Sequence, residues 1–154
     1  MRSPVTAWVA VGANLGDAAQ QVGWAIDTLR RHPGVRHLRA SRLYRSAPHE
    51  AEGPDFINAV VCFDTTLTAP DLLQALQSLE HQAGRERPYR HAPRTLDLDL
   101  IFYGDAVVTS PRLIVPHPRW HERAFVLLPL GDVSPDKVSV NQRAAVAHQA
   151  IEVL

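Results

Sequence analysis

The chain has 154 residues, the size of one ordinary domain, with 45% hydrophobic and 21% charged residues and a formal net charge of zero. That composition is globular, leaves no long disordered stretch, and lacks the broad field that draws proteins to nucleic acid or a membrane surface. The one cysteine, Cys62, excludes an internal disulfide, and neither a signal-peptide pattern nor an apolar run long enough to span a bilayer is present, so a cytoplasmic protein without membrane or nucleic-acid partners is expected.

The first predicted element is a strand over residues 6–11 (TAWVAV), short, apolar and partly β-branched, closed by the Gly/Asn turn GANLGD. Asp17 with Gln20 three residues on has the form of a helix start, and Val22, Ile26 and Leu29 recur at helical spacing until HPG stops them. Residues 36–44 alternate loosely as a second strand. A polar Pro/Gly loop (RSAPHEAEGPD) follows, and residues 56–65 (FINAVVCFDT) read as a stronger third strand with Cys62 a buried thiol. Thr68, Pro70 and Asp71 begin a second helix; Leu72, Leu73, Leu76 and Leu79 form its buried stripe and Gly84 ends it. After a basic loop (RERPYRHAP), Leu96, Leu98, Leu100 and Phe102 give a fourth strand one apolar face. The order β, α, β, β, α, β predicts a ferredoxin-like α+β fold, an antiparallel sheet with helices on one face. Beyond it, YGDAVV predicts a hairpin turn, LIVPHP a short extended piece, and residues 140–154 a closing amphipathic helix. No repeat, linker or low-complexity segment divides residues 1–154, so a single domain is expected.

The fourth strand raises the chemical question, because its other face opens with Asp97 and Asp99. Alternation puts both carboxylates on one side, their Cα atoms about 6–7 Å apart. At that range they repel, and one tends to hold a proton unless a cation sits between them. Magnesium suits the spacing: it takes one or two carboxylates, keeps waters and fills its shell with phosphate oxygens, and a pair of such ions could clamp a polyphosphate during in-line displacement. The bare D-x-D pair alone reads better as the solvated face of an edge strand. Its neighbours shift the balance, because Arg85, Arg87, Arg90 and Arg94 crowd the loop before the strand and Arg112, Arg119 and Arg123 follow it. Guanidinium groups match phosphate oxygens bidentately, and positioning with charge neutralisation is most of what phosphoryl transfer asks of a protein. Of sixteen basic residues only Lys137 is Lys, and no Gly precedes it, so a nucleotide site here works without a P-loop.

In VPHPRWHERAF, His117 and His121 stand four apart, a zinc-ligand spacing on a helix, but Pro118 argues against a regular helix and no third ligand is evident. His117 fits better as a hydrogen-bond donor to phosphate, and His121 as a packed or surface histidine. In DFINAV, period two puts Phe56 and Asn58 on one face, an aromatic to stack and an amide to read the edge of a heterocycle. Phe56 and Phe125 taken alone read as core. An inward amide on an apolar strand needs partners, which a ligand can supply.

Together, GANLGD, YRSAPHEAEGPDFINAV, APRTLDLDLIFYGD and VPHPRWHERAFVLLPL, with their spacing from about Thr6 to Leu130, resemble the 6-hydroxymethyl-7,8-dihydropterin pyrophosphokinases of folate biosynthesis. The resemblance implies a ferredoxin-like α/β sandwich. It also implies transfer of pyrophosphate from ATP, the co-substrate, to the hydroxymethyl group of 6-hydroxymethyl-7,8-dihydropterin, giving AMP and the pterin diphosphate with two Mg2+ ions. By position it implies Asp97 and Asp99 as magnesium ligands, and Arg85 and Arg94 as loop arginines that steady the transferred group. Gln77, Glu80, Arg85, Arg94, Leu100, Arg112, Ile114, His117 and Arg123 would contact ATP. Ser46, Ala47, His49, Phe56, Asn58 and Phe125 would line the pterin slot of a monomer acting on these two small molecules. His91 and Ala92 depart from the Trp and Gly of many relatives and Pro118 from the Tyr of some, changes that bear on loop closure rather than on metal or pterin. Two rival readings use the same residues. One is a ferredoxin-like RNA-binding module that stacks bases on sheet aromatics, against which neutral charge and inward carboxylates count. The other is a magnesium-dependent nucleotide hydrolase built on the same acidic pair.

Overall fold

The computed structural model describes residues 3–48, 53–84 and 96–154. Strand β1 (Val5–Ala13) alternates, burying Ala7, Val9, Val11 and Ala13 on one face. Helix α1 (Ala18–Arg31) starts where the Asp17 carboxylate accepts a 3.1 Å hydrogen bond from the Gln20 N–H, and turns Val22, Ala25, Ile26 and Leu29 inward. The second predicted strand is interrupted. Strands β2 (Val35–Ala40) and β3 (Tyr44–Ser46) lie along the same side of β4 (Phe56–Thr65), with a register slip between Arg36 and Arg39 and His37 at a φ of 56°. Ser41 bridges the break: its N–H donates to the Val60 carbonyl and its Oγ accepts from the Val60 N–H, both at 2.9 Å, so Val60 keeps both backbone partners. Helix α2 (Ala69–Gly84) is capped by the Thr68 hydroxyl on the Asp71 N–H and buries Leu72, Leu76 and Leu79. Strand β5 (Asp97–Tyr103) follows, then a short hairpin of β6 (Val108–Thr109) and β7 (Ile114–Val115), helices α3 (Ala124–Val133) and α4 (Val140–Ala145), and strand β8 (Ile151–Val153). Single 3-10 turns at Trp120–Glu122 and Pro135–Lys137 flank α3.

The main sheet runs β5-β1-β4-β3-β8, with β2 also on β4, and each of these neighbour pairs is antiparallel. Strands β1 and β2 are therefore parallel with β4 between them, and β4 and β5 are parallel with β1 between them. These are two interleaved split βαβ units, the predicted ferredoxin-like arrangement. Helices α1 and α2 cover one face over Val9, Val11, Val61, Phe63, Leu98 and Leu100. No helix among the described residues is long and apolar enough to cross a membrane.

The second face is covered as well, by a helix absent from the sequence reading. Helix α3 is apolar almost all round and contains Pro129, so it lacks the amphipathic period that betrays a surface helix. It sets Val126, Leu127 and Leu130 against Val60, Cys62 and Ile101. Among the described residues, α3 thus covers a part of the sheet where an RNA-binding module would stack bases. At its far end Trp8 donates to the Ser134 hydroxyl (2.9 Å), and the Lys137 ammonium sits 4.4 Å from the Trp8 ring centroid and 4.8 Å from that of Phe102.

Three further predicted features change. Phe102 does not share a face with Leu98 and Leu100: Trp8 pairs with Phe102 but Val9 with Leu100, so Ile101 is an extra residue in β5. This bulge turns Ile101 and Phe102 toward α3 while Leu98, Leu100 and Tyr103 stay in the opposite core. Nor do residues 140–154 form one helix. Helix α4 opens with a Ser139–Gln142 capping box but runs for only six residues, and the chain ends in β8, which pairs with the otherwise bare edge of β3. The YGDAVV turn forms, with Gly104 at a φ of 54°, but the hairpin it feeds closes later, where the Ser110 N–H and hydroxyl both donate to the Leu113 carbonyl.

Candidate active site

Asp97 and Asp99 stand exposed on the edge strand β5, alternating with buried Leu96, Leu98 and Leu100. Their cross-strand neighbours on β1 are Gly12 beside Asp97 and Ala10 beside Asp99. Those two in turn face Asn58 and Val60 on β4. Because Gly12 and Ala10 fill almost no space, the strip between the carboxylates and Asn58 is a trough. Phe56 walls it from β4, Ser46 and Ala47 from β3 and its end, and Arg123 and Phe125 from the head of α3, enclosing a cavity of about 260 Å3. Predicted pterin-site residues from three distant stretches of sequence thus meet in one place. Gly12 and Ala10 were not singled out from the sequence; the signal available was two small residues at alternate positions of an apolar strand.

Asn58 and Ser46 are 4% and 6% exposed. The Asn58 Nδ2 donates to Ser46 Oγ at 2.8 Å, which fixes the amide and leaves its Oδ1 toward Gly12, where an added Cβ would lie 3.3 Å from that oxygen. A carbonyl held this way reads a donor on the edge of a flat ligand. The Arg123 guanidinium carbon lies 5.5 Å from the Phe125 ring centroid, within cation–π range. Arg123, predicted among the ATP contacts, therefore borders the cavity that holds the predicted pterin residues.

A second cavity of about 260 Å3 is lined by Asp99, Leu100, Arg112, Ile114 and His117, together with Leu73, Leu98 and Pro118. Among the described residues, Asp99 alone lines both cavities. The His117 N–H donates to the carbonyl of Ile101 at 3.0 Å, so the bulge in β5 anchors the histidine. Its Nδ1 accepts the Arg119 N–H at 3.1 Å, which puts the proton of the neutral ring on Nε2 as a donor. Burial holds this imidazole below its usual pKa; Arg123 and Arg119 act in the same direction and Asp99 opposes them.

Gln77 and Glu80 lie on α2 and line neither cavity. Gln77 is exposed, while a Glu80 carboxylate oxygen accepts the Leu98 N–H at 2.9 Å, clipping the edge strand midway between the two aspartates. Arg85, Arg94 and His49, like the departures at His91 and Ala92, lie outside the described residues. His121 is exposed on the turn at Trp120–Glu122, and no cluster of three or more His, Cys, Asp or Glu that could hold a metal occurs among the described residues. Two exposed hard carboxylates beside open space fit magnesium, which completes its shell with water and phosphate oxygens, and do not fit a closed zinc site.

Residues 8–135 match the profile of the 7,8-dihydro-6-hydroxymethylpterin-pyrophosphokinase family. The chain is 45% identical over 130 residues to the 2-amino-4-hydroxy-6-hydroxymethyldihydropteridine pyrophosphokinase of Pseudomonas aeruginosa, a match covering 84% of this chain and 80% of that one. It is 35% identical over 140 residues to the enzyme of that name from Haemophilus influenzae, covering 90% and 88%. Among solved structures, a Plasmodium falciparum HPPK-DHPS chain with SDX-DHP superposes with a TM-score of 0.67 over 88% of this chain. At 13% identity that is a likeness of fold, and the chain spans 43% of that longer structure.

Proposed function

The chain belongs to the 7,8-dihydro-6-hydroxymethylpterin-pyrophosphokinase family, whose reaction in folate synthesis is pyrophosphorylation of hydroxymethyldihydropterin, and we propose that it performs this transfer from ATP across the rim marked by Asp99. The observation that carries the reading is that one carboxylate borders both cavities. On this reading the pterin occupies the trough between Phe56 and Phe125 with Asn58 at its edge. The triphosphate approaches from the second cavity, past Leu100, Arg112, Ile114 and His117, with Gln77 and Glu80 flanking it from α2. The hydroxymethyl oxygen then forms a bond to the β-phosphorus while the bond from that phosphorus to the AMP oxygen breaks, and the hydroxyl proton leaves to solvent. Asp97 and Asp99 would hold two Mg2+ ions, which when bound neutralise the phosphates and ease loss of that proton. The Nε2–H of His117 and the guanidinium groups of Arg112 and Arg123 supply donors for phosphate oxygens, and Arg85 and Arg94 would steady the transferred group. Stacking between aromatics and reading by a fixed amide set the hydroxymethyl group rather than the ring at the phosphate side. The same reading takes the protein to be a cytoplasmic monomer acting on these two small molecules.

The test is to mix protein, Mg-ATP and 6-hydroxymethyl-7,8-dihydropterin and separate the products. AMP release that depends on pterin is expected. Release of ADP, or ATP consumption without pterin, would favour the hydrolase reading and overturn this one. Asp97→Asn and Asp99→Asn should each lower kcat by at least about 100-fold with unchanged circular dichroism.

A further inference from the structure

A smaller cavity of about 130 Å3 adjoins the trough, between Ser46, Ala47 and Pro48 on one side and Ala124 and Phe125 on the other. Its remaining wall is Gln149, Ala150 and Ile151. Ser46, Ala47 and Phe125 line both spaces, so the Phe125 ring has open volume beyond the trough as well as within it. Packing against the layer under α3 therefore holds the ring on one side only, and the backbone that carries it needs a second support.

The C-terminal segment meets the requirement. Arg123, the residue before α3, is extended (φ −121°, ψ 116°) and gives the helix no side-chain cap. Gln149 takes its place: Oε1 accepts the Ala124 N–H at 2.9 Å and Nε2 donates to the Glu122 carbonyl at 2.8 Å. These two bonds bracket Arg123, fixing the backbone on either side of it one residue before Phe125. The same segment reaches the opposite wall, where the Ala150 carbonyl accepts the Ala47 N–H at 3.4 Å and Ile151 pairs with Ser46. Residues 149–151 thus join the head of α3 to β3 along the wall of the smaller cavity. They lie beyond residue 135, where the family match ends.

We propose that Gln149 is a positioning residue for pterin recognition, holding Arg123 and Phe125 at a set distance from Ser46 and Ala47 through its two hydrogen bonds to the backbone around Arg123. The inference rests on the trough being the pterin slot. Gln149 does not belong to the buried layer of Val126, Leu127 and Leu130 that holds α3 on the sheet, so its removal should loosen the slot without unseating the helix.

The experiment compares Gln149→Ala, Gln149→Glu and the unmodified chain by pterin titration without nucleotide, by KM and kcat for each substrate, and by amide hydrogen exchange. Gln149→Ala should raise the pterin Kd about tenfold, raise the KM for ATP by clearly less, through the shift of Arg123, and speed exchange at Ala124. Gln149→Glu keeps the acceptor for Ala124 but loses the donor to Glu122, so its pterin Kd should fall between the other two. Faster exchange at Ala124 with an unchanged pterin Kd would overturn the proposal. Equal weakening of pterin and ATP would also overturn it, as the mark of general destabilisation. If Gln149→Ala does not fold, Gln149→Glu decides alone: an unchanged pterin Kd refutes the role and a raised one supports it. Failure of the unmodified chain to bind pterin would instead overturn the functional reading, and this inference with it.

Discussion

Gly12 does its work by what it leaves empty. Its absent side chain lets Asp97 on β5 and Asn58 on β4 face each other across β1. A Cβ there would press on the Asn58 oxygen at 3.3 Å, so Gly12→Ala must turn an amide that Ser46 already holds. The expected result is a pterin KM raised about tenfold, the cost of one misaligned hydrogen bond, with ATP KM and melting temperature nearly unchanged. At this scale the sequence was partly legible. Asn58 stood out because an amide among Ile57, Ala59 and Val60 demands a partner, and the aspartates because arginine clusters bracket a pair that alone reads as a solvated edge. Gly12 and Gln149 did not stand out. A glycine in a strand announces no ligand, and a glutamine near the C-terminus looks like any surface residue until the backbone it braces is known.

Among elements, β5 carries the two candidate aspartates, and a bulge arranges what lies around them. The extra residue at Ile101 supplies the carbonyl that anchors His117 and turns Phe102 under α3, while Asp97 and Asp99 keep the regular alternation before it. Strict period two fits the leucines but cannot foresee an inserted residue, because bulges are set by cross-strand pairing. Helix α3 escaped for a related reason: buried on several sides, it has no polar stripe to mark its turns. What fastens α3 to the β2–β3 connection is also absent from local pattern. Asp132 accepts from Arg42 Nε at 3.1 Å, Arg42 Nη2 at 3.0 Å and the Tyr44 hydroxyl at 2.9 Å. Burial works to raise the Asp132 pKa, but the bonds from Arg42 and Tyr44 together outweigh it and hold the carboxyl below its ordinary value. A lowered folded-state pKa contributes stability above the unfolded value, about 4, and that contribution is lost as pH falls through the folded value. Asp132→Asn should lower stability at pH 7, by about 1 kcal/mol for the weakened hydrogen bonds, with the difference from the unmodified chain closing as pH falls through the folded value of Asp132. Urea midpoints across that range check both the size and the sign.

For the whole molecule, the element order alone carried the fold, because two split βαβ units leave few ways to close a four-strand antiparallel core. The order does not say how the second face is covered, and that covering makes the site: α3 shields one part of the sheet and leaves the trough beside it open. Long-range closure of this kind joins Gln149 to Ala124 and Arg42 to Asp132, contacts that no window of neighbouring residues contains. The same layer has a practical use through Lys137, the chain's sole lysine, whose ammonium rests against Trp8 and Phe102. Acylating its Nζ removes the charge that those rings attract, so the reaction must wait for the ammonium to leave them. An amine-reactive reagent should mark Lys137 slowly in the native protein and many times faster in urea, each addition read by peptide mass. The protein therefore carries its own chemical clock for the lifting of one layer from the sheet, built from a single side-chain nitrogen.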